Sequence, residues 1–144
     1  PGGGGGVGGK MVIIGRVGGC ERRREEVAQA VVGVGRARLV AYAMRVPKSG
    51  RLRADLLRDV VLKFDHGKER DRGLVLTHVK TWEEADYIRA LGGQLWHVEG
   101  VPSSEIAIQR DDLMVTPRAG GVRHYLDPVE ALSETMIRYN PKAA

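Results

Sequence analysis

Short apolar runs alternate with amphipathic stretches from Lys10 onward, and this alternation limits the chain to an α/β sheet. Met11–Ile14 suits a central parallel strand, because a strand covered on both faces reads as a continuous apolar run. Over Glu21–Val34, Val27, Ala30, Val31 and Val34 share one helical face with charge opposite. Arg38–Met44 reads as a second strand, and Pro47, Ser49 and Gly50 mark a loop. Leu52, Leu56, Leu57, Val60, Val61 and Phe64 stripe a second helix, and Gly73–Val79 is a third strand. Thr81-Trp82-Glu83-Glu84 is a capping box, which starts a helix by satisfying two orphan N–H groups. That helix turns Trp82, Ala85, Ile88 and Leu91 to one side and stops at Gly92-Gly93. Gln94–Glu99 is a fourth strand, Ser103–Gln109 a short helix or loop, and Leu113–Val115 a fifth, edge strand. Asp127-Pro128 opens a last helix with Val129, Leu132 and Met136 facing inward. The expected architecture is a three-layer parallel sheet of about five strands with helices on both faces.

With 144 residues, 42% of them hydrophobic, the chain has room for one compact domain, assigned to 10–144. Residues 1–9 hold seven glycines and read as a glycine-rich N-terminal arm, either a flexible linker or a segment that becomes ordered on a neighbouring subunit. The lone Cys20 excludes a disulfide framework, and His66, His78, His97 and His124 lack metal-ligand spacing, so no metal is expected. Asp111-Asp112 reads as a solvated loop, and Trp82 and Trp96 as core or interface anchors. No run approaches the roughly 20 apolar residues of a membrane span, and no leader pattern is seen, so a cytoplasmic setting without membrane contact is expected. Charge is uneven: residues 1–64 carry 13 Lys/Arg against 5 Asp/Glu, and residues 65–144 carry 10 against 13. A basic half of this kind attracts nucleic acid or an acidic protein surface, or simply solvates helix faces.

The first strand runs into a glycine turn and then a helix, the layout of a phosphate-binding loop. On the pattern G-x-x-x-x-G-K-[ST], Gly15 fits the first position, while Cys20, Glu21 and Arg22 take the last three. A carboxylate thus stands in place of the lysine. Gly15, Arg16, Gly18, Gly19 and Arg22 are the phosphate-binding candidates; the competing reading makes the glycines a tight turn only.

Further along, Val79, Glu84, Ala85 and the run Ile88-Arg89-Ala90-Leu91-Gly92-Gly93 lie within Gly73–Glu99, with Ser104-Glu105 beyond. This segment resembles the second half of bacteriophage deoxynucleoside monophosphate kinases, and the strand, loop and helix over 11–34 match that family in outline. The resemblance implies a P-loop kinase-like fold, with ATP and Mg²⁺ as cofactors in an active member. It also implies degenerate catalytic positions: Glu21 stands for the phosphate lysine, Arg22 for the metal-binding hydroxyl, His78 for the strand-end Asp and Lys80 for an Arg. Phosphoryl transfer needs cations on the phosphates and a carboxylate for Mg²⁺. Residues 35–72, where such kinases carry substrate and lid elements, are also few.

Three functions follow as expectations. The first is a catalytically inactive kinase-like domain, needing no cofactor, that serves as a structural or interaction protein in the host cytoplasm or a phage particle. Its contacts to copies of itself or other proteins would use Gly2 and Gly5 of the arm with Arg23 and Arg24. The second is a deoxynucleoside monophosphate kinase using ATP. The third is a nucleotide or nucleic-acid binding module without turnover, working through the basic half.

Overall fold

A computed structural model describes residues 12–33, 39–44, 49–66, 73–121 and 123–139. The arm at 1–9, with Gly2 and Gly5, lies outside them, as do Lys10, Met11 and Val34 of the predicted elements. The described elements run β1 (Ile13–Val17), α1 (Glu21–Gly33), β2 (Leu39–Tyr42), α2 (Gly50–His66), β3 (Gly73–Leu76), α3 (Trp82–Ala90), β4 (Gln94–Val98), β5 (Leu113–Val115) and α4 (Pro128–Tyr139). The strands form one sheet in the order β2-β3-β1-β4-β5, every neighbouring pair parallel.

The period-2 alternation of β1 sends its side chains to two different cores. Ile13 and Val17 join Leu57, Val61, Leu76, Val79, Ile88 and Leu95 under α2 and α3. Ile14 joins Val27, Val31, Trp96, Val115 and Leu132 under α1 and α4. Helices therefore cover both faces of the parallel sheet, as the alternation predicts.

β1 is where the boundaries move most. Among the described residues it begins at Ile13 and runs on past the predicted Ile14 through Gly15 and Arg16 to Val17, with Gly15 paired to both Leu76 and Leu95. Gly15 is strand because α3 crosses here: a Cβ on it would lie 2.8 Å from Val79 Cγ2 and 2.9 Å from Ile88 Cδ1. β3 in turn ends at Leu76 rather than Val79. Its last rung with β2 is Thr77 N–H to Tyr42 O, after which Val79 N–H turns to Arg16 O.

Other expectations need correcting. Trp82 is the first residue of α3 and 55% exposed, so it is no core anchor, whereas Trp96 is buried and donates its indole N–H to Thr135 Oγ1 at 3.1 Å. Val129 faces solvent in the first turn of α4, whereas Leu132 and Met136 pack inward as expected, joined by Ala131 and Thr135. On α1 it is Ala28, not Ala30, that accompanies Val27 and Val31 inward. No helix among the described residues is long and apolar enough to cross a membrane.

Candidate functional site at the C-terminal edge of the sheet

The chain leaves β1 toward β2 and leaves β4 toward β5, on opposite sides of the sheet. In parallel sheets, the crevice beyond the strand ends at such a divergence is where ligands settle. Three segments meet there: the β1–α1 connection, residues 77–81 after β3, and residues 99–103 after β4.

Only Gly18, Gly19 and Cys20 join β1 to α1, and both glycines have positive φ, at 71° and 65°. That conformation costs other residues energy. The turn is sealed against the neighbouring loop, since Gly19 N–H donates to Val101 O at 2.9 Å. Arg24 Nη1 caps the carbonyls of Gly18 and Gly19 at 2.9 and 3.0 Å, and Arg23 Nη1 donates to Glu99 O at 3.1 Å. A phosphate cradle needs backbone N–H groups pointing into open space. Here one N–H is already used and the two glycine carbonyls face an arginine.

The predicted site residues thus scatter. Gly15 is a packing residue within β1. Glu21 is exposed at the α1 N-terminus, where its charge suits the helix dipole. Arg22 points to solvent and pairs with Glu26 at 3.3 Å. Arg23 and Arg24 act as braces for the turn. Cys20 is exposed.

His78 feels the charges of Arg24, Lys80, Arg53 and Arg16, in that order. Arg16 is 1% exposed on the α1 face of β1, and its Nε and Nη1 have no hydrogen-bond partner among the described residues. Burial, with a smaller push from Arg24, lowers its pKa to about 10, against a weaker pull from Glu25. Burial likewise lowers the Arg24 pKa, opposed by Glu21 and Cys20. His78 is half-buried; desolvation, then the charges of Arg24, Lys80, Arg53 and Arg16, push it down to about 4. At neutral pH it is an uncharged imidazole among cations.

Below this cluster lies a buried ion pair that sequence reasoning missed. Arg53 of α2 donates Nε to Glu84 Oε1 at 2.6 Å, and its Nη2 donates to His78 O at 3.3 Å. Glu84 also accepts from Thr81 N–H and Oγ1, so the capping box doubles as the arginine's counter-ion. Arg53 sits four residues before Leu57 on the apolar stripe of α2, a position that already marks it as inward-facing. A second missed network is Asp112, whose Oδ2 takes Arg89 Nη2 and His97 Nε2, both at 2.7 Å. Asp112 is therefore buried rather than solvated, and no local pattern announces it.

Among the described residues, no group of three or more His, Cys, Asp or Glu side chains could hold a metal ion. No protein-family model matches the chain, and no curated protein or solved structure matches it significantly.

Proposed function

We propose that this chain is a non-catalytic α/β domain, kin to phage-type nucleotide kinases, that works as a structural or interaction protein through contacts with other copies or other proteins. One observation carries the reading: the sheet edge where phosphoryl transfer needs a metal-binding carboxylate holds neutral His78 ringed by Arg16, Arg24, Arg53 and Lys80. Such a ring repels Mg²⁺. The β1–α1 turn supports the same reading, because Glu21 carries the wrong charge for a triphosphate and Gly19 N–H is bonded to Val101 O. The host cytoplasm, or a particle assembled there, is the setting this role fits.

The test is incubation of the chain with ATP, Mg²⁺ and a panel of deoxynucleoside monophosphates, with product detection. No diphosphate above background is expected. Robust turnover that disappears in Glu21→Ala would overturn the proposal in favour of a working kinase.

A further inference from the structure

The two edges of the sheet are finished differently. β5 is covered by its own chain, since Leu126 N–H donates to Met114 O and Thr116 N–H to Leu126 O, both at 2.8 Å. β2, at the other edge, pairs with β3 alone among the described residues. Its sequence, Leu39-Val40-Ala41-Tyr42, has none of the charges or prolines that keep an open edge from pairing. We propose that this edge pairs antiparallel with β2 of a second copy of the chain, giving one continuous sheet of ten strands, five from each copy. Such pairing gives the interaction role above a partner and a surface, and it rests on that reading.

Three observations converge. The first is the backbone. Tyr42 O accepts from Thr77 N–H, so Val40 and Tyr42 bond inward to β3 while Leu39 and Ala41 turn their N–H and C=O groups outward. An antiparallel mate meets that row with the same row, Ala41 opposite Leu39 of the copy. The second is the flank of α2. The Arg58 guanidinium lies over the Tyr87 ring and Gly50 lies beside the Glu83 carboxylate, which fixes the side of α2 that faces α3. α3 packs on β1 and β4, so the other side of α2 borders the β2 edge. That side carries Leu52, Leu56, Asp59 and Lys63, spaced as one helical stripe and all exposed. Tyr42 is exposed on the same face of the sheet, because its register partner Leu76 belongs to the core under α2. A two-fold axis normal to the sheet keeps like faces together, so the apolar flank of α2 meets its own copy.

The third is charge. Arg53 Nη1 donates to Met44 O, which sets Arg53 of α2 level with Met44. α2 runs back along the sheet from there. A rise of about 3.3 Å per strand residue and about 1.5 Å per helix residue puts the middle of β2 level with about residue 61. An axis at that level sets Asp59 opposite Lys63 of the copy, and Lys63 opposite its Asp59. Neither side chain has an ion pair within its own chain among the described residues. Four strand residues and one helical stripe make a smaller patch than the roughly 800 Å² per partner of a standard interface, so the dimer is weak.

The test is analytical ultracentrifugation of the full chain over concentrations from about 5 µM to about 1 mM. A monomer–dimer equilibrium with Kd on the order of 100 µM is expected. Ala41→Pro removes an outward N–H and leaves the bonds to β3 in place, and should weaken the dimer at least about tenfold. Asp59→Lys should weaken it about fivefold, because the axis makes each lost contact occur twice, and adding Lys63→Asp should restore it by rebuilding both pairs. Amide exchange at Ala41 should slow as concentration rises. Should Ala41→Pro not fold, Asp59→Lys and its rescue decide, since both side chains are exposed. A dimer that either Ala41→Pro or Asp59→Lys leaves intact, or a double variant no stronger than Asp59→Lys, would overturn the proposal. So would a wild type that stays monomeric throughout, which would give the edge to a different partner. That last result leaves the interaction role standing, because nucleotide turnover is what overturns it.

Discussion

At the scale of single residues, the fold depends on how two buried guanidiniums are treated. Arg53 and Glu84 are 1% and 3% exposed at the side chain and touch at 2.6 Å, with the remaining carboxylate bonds going to the α3 cap. A buried pair of this kind contributes little against an apolar substitute, yet removing one partner strands the other charge. Arg53→Met is therefore expected to destabilise the domain by roughly 3–5 kcal/mol. Adding Glu84→Gln should restore part of that loss, because the amide oxygen still accepts from Thr81 N–H while the stranded charge is gone. Urea unfolding of the two single variants and the double variant checks this. A double variant no more stable than Arg53→Met would show that the cap, and not the charge pair, dominates. Arg16 is the opposite case, a buried cation whose Nε and Nη1 have no hydrogen-bond partner among the described residues.

At the scale of elements, what could be read from the sequence depended on how local the signal was. The α3 cap is written in Thr81 and Glu84 and its end in Gly92-Gly93, and both stand where predicted. β5 falls on Leu113–Val115 as read. Gly15 misled because glycine marks a turn and a close approach with the same letter, and only the passage of Ile88 over it decides between them. Arg16, read as a loop residue, is buried for the same reason: the strand continues past the glycine. The segment between β4 and β5 shows the limit most plainly, since of the helix and loop readings over 103–109 the loop holds, and its anchor comes from elsewhere. Asp112 Oδ2 accepts from Arg89 Nη2, pairs with His97 Nε2 and takes Gln109 N–H at 3.0 Å. Burial alone would raise the Asp112 carboxyl; the bonds from His97, Arg89 and Gln109 outweigh it and hold the group below its usual value. Asp112→Ala is expected to cost on the order of 2–3 kcal/mol. Amide exchange over residues 99–112 should accelerate while β1 and β3 stay protected. Uniform acceleration across the sheet would refute the idea that this residue anchors one crossover.

At the scale of the whole molecule, two titrating networks among the described residues act on the acid limb of stability. His78 sits at about 4 in the folded chain against 6.5 unperturbed, held down by desolvation and by Arg24, Lys80, Arg53 and Arg16. Between those values the unfolded chain binds a proton that the folded chain refuses, so stability falls as pH drops from about 6.5 to about 4. Asp112 acts in a lower window. Its folded value lies below 3.8, so the stability it contributes is present above that pH and is lost only as pH falls further. Urea midpoints taken from pH 7 down to pH 3 should therefore decline in two stages. His78→Asn should flatten the upper stage and leave the lower one, because asparagine cannot charge inside the cationic ring. A His78→Asn curve parallel to the wild type above pH 4 would place the acid sensitivity elsewhere. A flattened curve would tie the stability of the whole fold to the charge at one edge of its sheet.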